Sequence, residues 1–221
     1  MIGLLLVALV SAQSHDLPPA GQAHVSQASV KAEGAPSKPS ERARVDPASA
    51  AQMQAFGRCV AQRQPARAAA LLQMDFTTPQ FNGALKKLAL SEAGCLGLSS
   101  KARFAGVLFA GALAEQLLAG TEDLAAALAY DPAGVPVRTF SLSDYIAACV
   151  ARTAPDGVAG LLATSPASGA EETAMRQLLP VVQQCVPKDQ QAQFNRAGLR
   201  AILATASYRM VEAARNTGGR G

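Results

Sequence analysis

Apolar residues recur at three- and four-residue intervals over most of the chain and almost nowhere alternate strictly, a rhythm that predicts helices. In the C-terminal half, Ser141 with Asp144 three residues later marks a helix start resembling a capping box. Tyr145, Ile146, Cys149 and Val150 then share one helical face. Pro155 suits the first turn of a short second helix ending at Leu162. Ser168 and Glu171 form another capping box, opening a helix through Met175, Leu178 and Val182 to Cys185, in which Pro180 predicts a kink or a break. After a Val186-Pro187 turn, a long helix is expected from about Asp189 to Ala214, with Leu199, Ile202, Leu203, Ala206 and Met210 as its apolar line.

The first half follows the same plan, and its final helix is expected from about Lys101 to Leu118. The two halves also share register. A shift of 90 residues lays Cys59 on Cys149 and Cys95 on Cys185, and each of these pairs is 36 residues apart. Cys59-Val60-Ala61 repeats as Cys149-Val150-Ala151, Pro65 matches Pro155, and Leu71-Leu72 matches Leu161-Leu162. Phe104 and Leu113 fall on Phe194 and Leu203. A Thr-x-Pro element, Thr77-Thr78-Pro79 against Thr164-Ser165-Pro166, is out of step by three residues, as a loop insertion would make it. Cysteines, prolines and phenylalanines falling together point to an internal duplication.

Composition agrees with helices. Hydrophobic residues make up 49% of the chain but aromatics only 5%, so much of the apolar content is alanine, the strongest helix former. The expected fold is all-α: two tandem, similar disulfide-stapled units of about four helices each, packed together behind a disordered N-terminal segment. The expected boundaries are 1–12 for a signal peptide, 13–47 for a tether and 48–119 for the first unit. A linker with a short helix over Thr121–Leu128 fills 120–140, the second unit is 141–214, and 215–221 is a flexible tail.

Residues Met1 to Leu9 form a short apolar run, with small side chains near Ala12 that fit signal-peptidase cleavage. It falls short of the roughly 20 apolar residues that span a bilayer. No Lys or Arg precedes the run, so either translation starts upstream or the signal is weak. The following segment, rich in Ser, Ala, Pro and Gln, buries too little to offset the entropy of ordering. Its four basic residues (Lys31, Lys38, Arg42, Arg44) balance four acids (Asp16, Glu33, Glu41, Asp46). The formal net charge of +4 is spread along the rest of the chain, without the clustered basic and aromatic face that nucleic-acid binding requires.

In an exported chain, four cysteines in a repeated pattern read as disulfides. Three pairings exist, and the repeat selects Cys59–Cys95 and Cys149–Cys185. Zinc is the competing reading, but the spacing lacks a Cys-x-x-Cys and the folded part has no histidine, so neither metal nor cofactor is expected. Both histidines, His15 and His24, fall in the tether, which leaves no imidazole for nucleophilic or general-base work. Glu122-Asp123 and Glu171-Glu172 sit at helix starts, where negative charge complements the dipole. Arg196 and Arg200 lie one turn apart on the face away from Leu199 and Met210, and are expected to be solvated, offering a candidate partner surface. Phe104 to Ala114 is a nearly uncharged run that must be buried, between the units or around an apolar ligand. Gly106 and Gly111 within it are expected to let the helix pack closely.

These features predict a non-enzymatic, exported interaction module of the bacterial cell envelope, periplasmic or secreted, with a protein partner. The alternative is a carrier for a lipid or other apolar small molecule held between the helices.

Overall fold

A computed structural model describes residues 46–95, 106–129 and 136–218. The apolar N-terminal run, the tether with its two histidines, Phe104 and the last three residues lie outside the described residues. All regular structure among the described residues is helical: α1 (Pro47–Arg63), α2 (Pro65–Leu72), α3 (Pro79–Ser91), α4 (Gly106–Leu118), α5 (Leu124–Leu128), α6 (Leu142–Thr153), α7 (Pro155–Ala163), α8 (Gly169–Cys185) and α9 (Arg196–Gly218).

Side-chain caps set most of these starts by satisfying amide N–H groups that the first helical turn leaves free. Asp46 accepts from the Ser49 N–H, Thr78 from Phe81, Asp123 from Ala126, Ser141 from Asp144 and Ser168 from Glu171. Proline opens α1, α2, α3 and α7, where its missing N–H costs nothing. The junctions before α2 and α7 are alike: Gln64 (φ −131°, ψ 53°) and Ala154 (φ −134°, ψ 61°) donate back to Val60 and Val150. At the second junction the chain turns through 103°.

Several expectations are corrected. Helix α9 begins at Arg196 rather than near Asp189, because the Asn195 side chain caps it by accepting from the Gly198 N–H at 2.7 Å. Helix α8 runs through Pro180 unbroken; Pro180 is on the exposed side, where water can serve the carbonyl that loses its donor. The Thr-x-Pro motifs are not structural counterparts. The residues that cap α3 and α8 are Thr78 and Ser168, which keep the 90-residue step and need no insertion. Tyr145 leaves the face it was placed on and is exposed, while Ile146 and Val150 are fully buried.

Helices α4 and α9 pack against each other at the centre, and α1 and α6 cover their outer sides. Alanine and glycine allow this closeness. A Cβ built on Gly111 would stand 2.5 Å from the Ala201 Cα, and one on Gly57 would stand 2.3 Å from the Ala112 Cβ. Residues 109–114 of the uncharged run are all buried, but Val107 is half exposed, so the run is not buried throughout; Phe109 stacks on Phe56 with ring centroids 4.9 Å apart. Disulfides join Cys59 to Cys95 and Cys149 to Cys185, tying α1 to the turn after α3 and α6 to the end of α8. No cysteine is free.

Candidate functional site

Two clefts open on either side of the α4–α9 contact. The larger, about 840 Å³, lies between the starts of α1, α8 and α9 and the middle of α4. It brings together Arg196 and Arg200, the two arginines singled out in the sequence, but not as a solvated pair. Arg200 is buried at 4% exposure. Its guanidinium forks onto Glu115 of α4, with Nε and Nη2 donating at 2.8 and 2.7 Å. Nη1 donates to Glu171 (3.3 Å), Thr164 Oγ1 (3.1 Å) and the Leu161 carbonyl (3.2 Å). Nη2 also serves the carbonyls of Leu162 and Thr164, at the C-terminal end of α7.

The expectation of a solvated Arg200 therefore fails, and the reason is the position of α9. A helix packed on several sides has no single apolar face, so a charged residue beside Leu199 still points inward. Burial by itself lowers the pKa of the Arg200 guanidinium; hydrogen bonding and charge from Glu115, then Glu171, outweigh it and hold the pKa above the usual value.

Glu171 is corrected likewise. Beyond complementing the α8 dipole, it is buried, accepts from the Ala167 N–H, and pairs with both Arg196 (3.1 Å) and Arg200. Arg196 remains about one third exposed at the rim and reaches the exposed Glu172 at 3.5 Å. The acids Glu122 and Asp123 stay at the surface, where Asp123 caps α5.

The smaller cleft, about 240 Å³, is lined mainly by apolar side chains from α2, α3, α4 and α9. At one end Asp144 and Arg209, both nearly fully buried, form an ion pair. Asp144 also accepts from the Phe140 N–H, and the Arg209 guanidinium lies over the rings of Phe76 and Phe140. Sequence reasoning placed Asp144 at a helix start but missed Arg209. A charge amid apolar spacing in the middle of α9 was the available signal.

The clefts correspond residue by residue. Pro166, Glu171, Glu172, Arg196, Ala197 and Arg200 of the larger stand 90 residues after Phe76, Phe81, Asn82, Gly106, Val107 and Ala110 of the smaller. Gln54, Ala112 and Glu115 stand 90 before Asp144, Ile202 and Thr205. Equivalent positions thus line both, but a four-residue charge cluster lines one where hydrocarbon lines the other.

Among the described residues no group of three or more His, Cys, Asp or Glu side chains could hold a metal ion. Nor, among them, is any single helix long and apolar enough to cross a membrane. Comparison with family models, curated proteins and solved structures finds no match to this chain.

Proposed function

We propose that the chain is an exported, duplicated helical module of the bacterial cell envelope that works by binding a protein partner and not by catalysis. Two disulfides support an oxidising, extracytoplasmic compartment. The duplication is supported by the starts of α2 and α3 recurring 90 residues later at α7 and α8, although α1 and α6 start 95 apart, and by contact between Gly111 and Ala201, themselves 90 apart. Equivalent positions touch where an approximate two-fold axis passes between two copies of a unit.

The observation that carries the binding reading is the larger cleft. Its carboxylates, Glu115 and Glu171, are each held by arginine, while Arg196 and Glu172 present both signs at the open rim. Such a rim gives register and selectivity to a protein contact. The immobilised protein is expected to retain one defined envelope protein in stoichiometric amount, and Glu172→Lys, a charge reversal at the exposed rim, to lose most of it with the thermal midpoint little changed. Equal retention by the variant, or none by the parent, would refute the reading.

A second reading, a carrier for an apolar small molecule, is favoured by the smaller cleft.

A further inference from the structure

We propose that the smaller cleft is a binding site for a neutral, single-ring aromatic molecule that carries one hydrogen-bond acceptor. The proposal deepens the carrier reading and does not depend on the protein partner.

The size comes from the volume. An apolar cavity of about 150 Å³ takes one benzene ring, so 240 Å³ takes a ring with a short substituent, about ten non-hydrogen atoms. The aromatic preference comes from the wall: Met74 supplies a polarizable sulfur, and Phe76 and Phe81 stand edge to face with centroids 6.4 Å apart. A ring offers its own face or edge to both kinds of neighbour.

The polar end sets the remaining chemistry. A guanidinium has five N–H groups. Arg209 uses three on described acceptors: Asp144, the Arg138 carbonyl at 3.3 Å and the Thr205 carbonyl at a long 3.5 Å. Donor capacity remains at this charged end of the wall, so the ligand presents an acceptor there. Asp144 already neutralises the Arg209 charge, so a ligand anion would gain no net countercharge and would meet a buried carboxylate.

The equivalent cleft shows the same positions carrying charge. There Arg200 stands where the smaller cleft has Ala110, and Glu171 where it has Phe81; both project charge into a network that consumes it. In the smaller cleft the corresponding side chains are short or apolar, so what differs between the two is the chemistry of the wall: hydrocarbon faces the smaller space and fixed charge faces the larger.

The test uses the disulfide-intact full chain and three probes of similar size: acetophenone, isopropylbenzene without the oxygen, and benzoate with a full charge. Acetophenone is expected to bind saturably with a Kd below about 1 mM, shifting the methyl resonances of Met74 and Ile202. Isopropylbenzene should bind about tenfold more weakly, the equivalent of one hydrogen bond, and benzoate more weakly still. Val107 lines the cleft but is half exposed, so Val107→Phe can narrow the mouth and weaken acetophenone at least tenfold without disturbing the fold. Leu85→Ala, which widens the cleft, should shift the preference toward a naphthyl ketone.

The proposal falls if acetophenone shows no saturable binding, if benzoate binds tightest, or if neither variant alters the order of affinities. A lipid recovered from the native protein, with acetophenone failing to bind, overturns this site while leaving the carrier reading in place.

Discussion

The two clefts occupy equivalent places in the fold and solve opposite problems. In the larger, two arginines and two glutamates lock α4, α7, α8 and α9 together through charge-assisted hydrogen bonds. In the smaller, the same positions carry Phe81, Gly106, Ala110 and Thr205, and only Asp144 and Arg209 bring charge, from the cleft's far end. One arrangement is rigid because every polar group depends on another. The other is tolerant, because apolar walls lose only contact area when changed. A buried ion cluster therefore reads as a clamp, and its apolar counterpart as a wall suited to an apolar ligand.

Breaking the clamp should have the largest effect. Arg200→Ala strands Glu115 and Glu171 without their shared partner and is expected to cost about 3–5 kcal/mol, read by denaturant unfolding. The reverse experiment in the other cleft, Ala110→Ser, should cost far less. If the two variants unfold at the same denaturant concentration, the contrast between the clefts has no energetic content.

The disulfides come next. Both bonds close the same 36-residue separation, worth about 3–4 kcal/mol in the chain-entropy model. Equal loops predict equal entropic losses, so any difference between Cys59→Ala/Cys95→Ala and Cys149→Ala/Cys185→Ala reports the surrounding packing. Cys185 is buried at 5% exposure while the other three are partly exposed, so the second pair should lose more. Calorimetry on the two double variants decides the order.

What the residues disclosed follows from which physics is local. Caps and prolines act within one turn, so Ser141, Ser168, Pro65 and Pro155 could be assigned from spacing alone. The 90-residue step pointed to both cysteine pairs, because a repeat selects one pairing of three. The clamp was not legible. Arg200 sits beside Leu199 in a helix buried along most of its length, and helical spacing finds an inward face only when an outward one exists. Glu115 and Glu171, its partners, come from helices far away in the chain, a relation no local pattern contains. The correspondence between the clefts was latent in the same 90-residue step, but it needed the helices in place to show which equivalent residues line a common space.

A smaller effect separates the two central helices. Leu118 and Tyr208 stand 90 residues apart and are both buried, yet only one can ionise. Burial pushes the Tyr208 phenol up to about 12, with Glu212 adding to the rise and Arg215 opposing it. The folded state thus favours the protonated phenol, so this contribution is complete below the ordinary value near pH 10 and is lost as pH rises toward 12. Thermal unfolding of Tyr208→Phe should lose less stability than the parent over that window and match its pH dependence near neutrality. Identical alkaline slopes would remove Tyr208 from the account.

The smallest change in stability should come from the largest change in chemistry. Glu115→Thr, Glu171→Phe and Arg200→Ala together give the larger cleft the residues found at Thr205, Phe81 and Ala110 of the smaller. Each glutamate substitution alone unbalances the clamp, but the triple variant removes Glu115, Glu171 and Arg200 at once and leaves only Arg196, which is at the rim and keeps Glu172 as its partner. Replacing a buried ion cluster by apolar groups of suitable shape is often neutral, whereas stranding one member is not. The carbonyls of Leu161, Leu162 and Thr164 lose the Arg200 donor, but the cleft is open and water can take its place. The triple variant should therefore lose less than about a third of what Arg200→Ala loses alone, a non-additivity that equilibrium unfolding of the single and triple variants measures directly. A triple loss equal to the sum of the single losses would mean that the charges act separately and that the clefts are alike only in position.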